Sequence, residues 1–235
     1  MRNGSSKLQQ YRKIIALVVV EYFIIEIIYM PRIYFDIGAN DGHSLIHLAM
    51  NSDNIVYAFE PTPRMINIIK QKTGGFKNYH IVPKAISNYN GKSKFYVSGN
   101  ADWGCSSLCQ FNDNLETNWP GRTDFRVTEE IDVDVIRLED FIIENNITDV
   151  EHLHCDVQGH DLEVLMGLGD KLSIVKNGVI EMPTSHEKKL YKDQKYLHTD
   201  AIEYLQKNGF EVTKVESNDQ FNIEMNVYFT NKRFM

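Results

Sequence analysis

"YFDIGANDG", Tyr34 to Gly42, decides how this chain reads. An apolar run ends at Asp36–Ile37, and Gly38, Asn40 and Gly42 follow at alternate positions. Gly and Asn suit neither strand nor helix interiors. The stretch therefore marks a strand that stops and a backbone turn shaped around a ligand. Gly38 and Gly42 let the backbone come close to that ligand. A helix expected over Ser44–Met50 would add free N–H groups at its start.

Outward from this turn, strands and helices alternate. Arg32–Ile37 reads as a short buried strand, and Asn54–Glu60 as a second one ending in an acid. The helix that follows stops at Gly74-Gly75, a C-terminal signal. "YHIVPKAIS" (Tyr79–Ser87) reads as a third strand, with Pro83 placing it at an edge or a bulge. "GKSKFYVS" (Gly91–Ser98) alternates and suits a hairpin with Glu130–Ile136. Between them lies the polar stretch Gly99–Thr128, with Trp103 and Trp119. A loop that long in a compact domain is usually functional or disordered. Helical spacing over Leu138–Asn146, a strand over Asp149–Val157, a helix from His160, a strand over Val175–Met182 and an amphipathic helix over His198–Gly209 follow. The closing strands, "FEVTKV" and "NIEMNVYFT", have no helix between them and should pair antiparallel. The pattern predicts an α/β fold over residues 31–235. It is a Rossmann-like, doubly wound, mostly parallel sheet of about seven strands ending in a C-terminal antiparallel hairpin.

Composition narrows the function classes. The formal net charge is -7, which argues against nucleic acid as a partner, since phosphate wants a basic face. Lys188, Lys189, Lys192 and Lys195 form a local basic run that reads as a solvated face. Three cysteines, Cys105, Cys109 and Cys155, do not make a disulfide framework and point to a reducing, cytoplasmic setting. Residues 1–30 form a separate apolar segment. In it "YRKIIALVVVEYFIIEIIYM" (Tyr11–Met30) starts basic and turns apolar, but Glu21 and Glu26 interrupt it. A central acid costs about 2.5–3.5 kcal/mol on insertion scales. A helix docked on the domain, or in peripheral membrane contact through residues 11–30, therefore fits better than a spanning one.

In a doubly wound sheet, ligands bind at the carboxyl ends of the strands. A dinucleotide wants G-x-G-x-x-G with pyrophosphate on the helix start. Here the turn is G-x-N-x-G with Asp36 before it, and an acid there repels pyrophosphate. It suits a cation carrying an ammonium and a sulfonium, which describes S-adenosylmethionine (SAM). Glu60 can accept hydrogen bonds from both hydroxyls of its ribose.

The chain resembles the FkbM-type family of class I SAM-dependent methyltransferases. The stretches that carry the resemblance are "FDIGANDG", "YAFEPTPRM", "AISNYNGKSKFYV", "CSSL", "VDVIRLEDFI", "LHCDVQGHDLEVLMGL", "GVIEM" and "LYKDQ", spread over nearly the whole chain from Ile33. The resemblance implies that Asp36, Gly38, Asn40 and Gly42 form the methionine-side loop and that Glu60 takes the ribose. It places Ala85, Ile86 and Ser87 near the adenine. Asp156 then faces the transferred methyl group, with Gln158 and Gly159 shaping the loop. His154 stands where the family usually carries Lys, and Asp161 where it usually carries Glu. The implied reaction moves a methyl group to a hydroxyl of a sugar, glycan or small metabolite, with Asp156 or His154 taking the proton. No metal is expected. His154 as a satisfied core histidine, and Asp156 as a helix cap, stay open beside those roles.

Two other classes are alternatives. One is a module that binds SAM or a glycan without catalysis. The other is a metallohydrolase built on "HLHCD", in which His152, His154 and Asp156 share one strand face. That pattern wants a further His where Val157 stands. Every quoted stretch lies after Met30. A chain starting there is therefore expected to keep its affinity for SAM, measured by calorimetry, and the full chain is expected to leave membranes on alkaline extraction.

Overall fold

The computed structural model describes Ile15 and residues 31–99, 103–122 and 125–235. The N-terminal segment, apart from Ile15, lies outside the described residues. Among the described residues no helix is long and apolar enough to cross a membrane.

The strands are β1 (Arg32–Ile37), β2 (Asn54–Phe59), β3 (Tyr79–Val82), β4 (Ala85–Ile86), β5 (Gly91–Ser98), β6 (Val127–Ile136), β7 (Val150–Cys155), β8 (Val175–Pro183), β9 (Phe210–Ser217) and β10 (Glu224–Asn231). The helices are α1 (Pro63–Thr73), α2 (Leu115–Asn118), α3 (Leu138–Glu144), α4 (Asp161–Met166) and α5 (His198–Lys207). Seven strands form one sheet in the order β3-β2-β1-β7-β8-β10-β9. β1 pairs parallel with β2 and β7, and β7 with β8. β10 runs antiparallel to both β8 and β9. The expected doubly wound sheet and its terminal hairpin are both present.

Period-two alternation explains how the sheet is covered. On β1, Phe35 and Ile37 enter the main core with Phe59, Leu153, Phe141 of α3, Leu162 of α4 and Leu205 of α5. Tyr34 points to the other face, where Val56, Ala58, Ile69 of α1 and Tyr79 form a second core. Phe35, Phe59 and Phe141 meet edge to face, with centroids 5.5 Å apart for Phe35–Phe59 and 5.0 Å for Phe59–Phe141. Such pairs contribute about 0.5–1.5 kcal/mol beyond area burial.

Two sequence expectations need correction. The segment after the Gly turn is not an α-helix over Ser44–Met50 but turns leading into a 3₁₀ helix, Ile46–Met50. Asn40 and Gly42 hold positive φ, 49° and 79°, so the turn runs through them. The segment after it closes on bonds three residues back, Leu48 N–H to the Leu45 carbonyl at 3.0 Å and Asn51 N–H to the Leu48 carbonyl at 3.2 Å. "YHIVPKAIS" is also not one strand. Pro83 has no N–H to give a ladder, Lys84 turns back with its N–H on the Val82 carbonyl at 2.8 Å, and the chain leaves the main sheet. β4 joins a second sheet, β4-β6-β5, which contains the expected hairpin of β5 with β6.

The chain moves outward from β1 to β2 and β3, then returns on the other side of β1 as β7 and β8. The switch point lies between β1 and β7. Ile37 and Cys155 are register partners there, so the residues just after them emerge side by side.

Candidate active site

A cleft opens at the carboxyl ends of β2, β1 and β7, roofed by the small sheet. It encloses about 490 Å³ of space free of protein atoms, part of it open to solvent. Gly38 and Asn40 line it from the turn after β1, Glu60 from the end of β2, and Asp156 from the end of β7. Ala85 and Ile86 of β4, Phe95 of β5, and Pro61 and Met65 make its apolar part. Gly104, Ser106 and Leu108 reach it from the long polar stretch.

Sheet geometry builds this wall. The N–H groups of Gly38 and Ala39 both donate to the Phe59 carbonyl at 3.0 Å, and the Asp156 N–H donates to the Ile37 carbonyl at 2.9 Å. Gly38 has φ 78°, and a Cβ there would lie 1.9 Å from the Asp156 carbonyl oxygen. Its glycine is thus demanded by the neighbouring strand end. Gly42 answers to the Tyr79 hydroxyl, 3.1 Å from its would-be Cβ, and does not line the cleft.

Glu60 is 5% exposed. Its Oε2 accepts the Asn40 N–H at 3.0 Å and its Oε1 the Thr62 N–H at 2.7 Å. Burial outweighs those bonds, and with the nearby Asp36 it pushes the Glu60 pKa up to about 7. Asp36 is fully buried and lies outside the cleft lining. Its Oδ1 is 3.0 Å from His154 Nδ1, its register partner on β7, and its Oδ2 has no partner. Burial works against a charged His154 ring, but the Asp36 hydrogen bond and charge, with Asp156 and Asp161, lift its pKa above the ordinary value. His154 is partly buried and does not line the cleft either.

Asp156 is tied from behind. Gln158, at φ 59°, donates from Nε2 to Asp156 Oδ1 at 2.6 Å and to Glu181 Oε2 at 2.7 Å. The Tyr191 hydroxyl lies 2.6 Å from Gln158 Oε1. Ser107 Oγ donates to the Gln158 carbonyl at 2.5 Å. Burial, opposed by the Gln158 amide and His154, leaves the Asp156 pKa raised. Asp161 accepts the N–H groups of Val157 and Gly159, each at 3.1 Å, and burial beside Asp156 pushes it up to about 8.

The profile of the Methyltransferase FkbM domain matches residues 36–212. The chain belongs to the FkbM methyltransferase family. It is 28% identical to the 2-O-methyltransferase NoeI of Sinorhizobium fredii, over 83% of this chain and 76% of the relative. It is 26% identical to Methyltransferase 1 of Beauveria bassiana, over 63% of each chain. Among solved structures, the magnesium protoporphyrin IX methyltransferase of Synechocystis with bound SAM is 12% identical, over 99% of this chain and 86% of that one, with a TM-score of 0.46.

FkbM methyltransferases are SAM-dependent, and the residues present fit that cofactor. The wall carries a buried acid with two fixed oxygens at Glu60, and an apolar section beside it. Asp36 Oδ2, an acceptor without a partner, lies behind the turn and does not reach the cleft.

Of the residues singled out in this FkbM chain, Gly38, Asn40, Glu60, Ala85, Ile86 and Asp156 come together on the cleft. Asp36, Gly42, Ser87, His154 and Gln158 stand behind it. Ser87 is fully buried, with Oγ 3.1 Å from His160 Nδ1. His152, His154 and Asp156 do not converge: His152 Nδ1 meets Asn177 Oδ1 at 2.5 Å, while the other two turn to Asp36 and Gln158. Among the described residues no group of three or more His, Cys, Asp or Glu is placed to hold a metal ion. Trp119 packs in a small core with Cys105, Cys109 and Leu190. Ser107, Glu181 and Tyr191 had no role assigned from sequence, although "CSSL", "GVIEM" and "LYKDQ" marked their positions; all three meet at Gln158.

Gly38→Ala is expected to separate the ends of β1 and β7. The expected result is a lower Tm together with loss of SAM binding by calorimetry. Gly75, where an added Cβ meets nothing within 4 Å and the backbone holds no positive φ, serves as the comparison, and Gly75→Ala should keep binding.

Proposed function

We propose that this methyltransferase moves a methyl group from SAM to a hydroxyl oxygen of a sugar, glycan or small metabolite. The observation that carries the reading is the Asp156 carboxylate at the cleft wall, at the end of β7, with the other lining carboxylate, Glu60, at the end of β2. The relation to a protein named as a 2-O-methyltransferase supports oxygen as the acceptor atom. When bound, SAM supplies a methyl group already activated on a sulfonium. The chain's own work is therefore to align the acceptor, exclude water and accept a proton.

In this reading Asn40 and the turn hold the methionine side, and Glu60 accepts the ribose hydroxyls. Ala85 and Ile86 pack against the adenine with Phe95. Asp156 takes the hydroxyl proton at a carboxylate oxygen. Its raised pKa makes it a stronger base than an exposed Asp. His154 and Asp36 act behind the wall, where their hydrogen bond orients the β1 and β7 ends. Gln158 orients Asp156.

The decisive experiment is transfer of isotope from methyl-labelled SAM to a panel of saccharides and hydroxylated metabolites. Label in an O-methyl product is expected. Cofactor binding with no transfer to any acceptor class would favour a binding module. With the acceptor so found, Asp156→Asn should lower kcat by about 10²–10⁴, the usual share of general acid–base catalysis, while SAM affinity holds.

Glu60 gives a pH test. Its pKa is raised on folding, so its stabilising contribution is complete below its ordinary 4.5 and is lost as pH rises past about 7. Hydroxyl donors favour the charged form, so SAM binding should strengthen over the same interval. Below pH 7 the affinity should fall by up to about tenfold per unit. Glu60→Ala should weaken binding by about 1.5–3 kcal/mol and flatten this pH dependence, both read by calorimetry.

A further inference from the structure

One amide serves two carboxyl groups beside the cleft. Gln158 Nε2 donates to Asp156 and to Glu181, at 2.6 and 2.7 Å. The amide cannot turn over, because its carbonyl would then face both acids and its NH₂ would face Tyr191. Glu181 lies on β8, 5% exposed, and its second oxygen accepts from Asn218 Nδ2. Asp156 lines the cleft, and Glu181 does not.

We propose that Glu181 is a positioning residue for methyl transfer, holding the Asp156 carboxylate at the cleft wall through Gln158. This rests on the reading of Asp156 as the proton acceptor. Two carboxyl groups bridged by one buried nitrogen carry one negative charge between them, since two would repel at close range in a poor solvent. The charge belongs on Asp156, which reaches the cleft and has His154 near it. Glu181 keeps the proton. Burial first, then the charges of Asp156, Glu224 and Asp161, push its pKa well up. As a neutral acid, Glu181 accepts from Gln158 and Asn218 and donates to Asp156. The other ionisable groups that act on the pair are Asp36 from β1, His154 from β7, and Tyr191.

Two arms test the assignment. At neutral pH Asp161 and part of Glu60 also carry protons, so the infrared assignment is read from differences. Subtracting the Glu181→Gln spectrum from that of the full chain should show the loss of one protonated-carboxyl stretch, and that same stretch should persist in Asp156→Asn. No stretch lost in Glu181→Gln, or the same stretch lost in Asp156→Asn, overturns it. In the second arm, the acceptor selected by isotope transfer is used. Glu181→Leu should lower kcat about tenfold with the KM for SAM unchanged, the scale of one lost buried hydrogen bond. It should also move the rise of kcat to higher pH, because Asp156 loses a donor that favours its charged form. Glu181→Gln keeps both the donor and the acceptor and should restore rate and profile. A role in folding alone would move Tm without moving the pH profile, and that result overturns the proposal, as does failure of Gln to rescue. Full turnover in Asp156→Asn would sink the proton-acceptor reading and the positioning role together. An inactive Asp156→Asn beside an unaffected Glu181→Leu would sink only the positioning role.

Discussion

The contact on which the site depends is between two pieces of backbone. The Asp156 carbonyl oxygen sits where a side chain on residue 38 would begin, 1.9 Å from an added Cβ. Only a glycine lets the ends of β1 and β7 close up, and the left-handed φ of 78° is one that glycine adopts at no steric cost. The same turn gives two N–H groups to the Phe59 carbonyl and one to Glu60. Three strand ends are thereby tied by one short loop. Asn40, Glu60 and Asp156 inherit their spacing from sheet register, which side-chain rotation cannot alter.

Acids crowd this end of the sheet: Asp36, Glu60, Asp156, Asp161 and Glu181 are clustered around the ends of β1, β2, β7 and β8. Burial costs each of them free energy when charged, and the fold answers in different ways. Glu60 takes two backbone N–H groups and still titrates near 7. Asp161 takes two more and titrates near 8. Asp36 leans on His154, whose ring is thereby held closer to its charged form. Such an arrangement disfavours an anionic ligand such as pyrophosphate. It suits the cationic cofactor that FkbM methyltransferases use.

The division of labour between the two sheets follows from Pro83. Losing one N–H ends β3 and lets the chain cross to a second sheet whose apolar face, Ala85, Ile86 and Phe95, closes the cleft. The long stretch between β5 and β6 then adds Gly104, Ser106 and Leu108 to the roof. On its inner side, Ser107 fastens the Gln158 backbone. The described part of this polar stretch thus lines the cleft and also supports the loop that carries Gln158.

The alternation of strands and helices, the terminal hairpin and the Gly turn were legible from sequence, because each rests on local periodicity or on one residue's backbone preference. "FDIGANDG" and "YAFEP" announced the turn and the acid, and both lie on the cleft. Other features were decided only by the fold. The 3₁₀ helix at Ile46–Met50 differs from an α-helix in hydrogen bonding, not in apolar pattern. Pro83 signalled an interruption, but only packing determined that the chain changes sheets there. Asp36 and His154, 118 residues apart, face one another through strand register. That pairing removes both from the cleft lining that a motif reading gives them. Glu181, Tyr191 and Ser107 meet at Gln158 from three distant segments, and no local pattern encodes such a meeting. Spacing along a chain fixes which residues share a face, whereas which faces meet is set by the packing of the whole sheet.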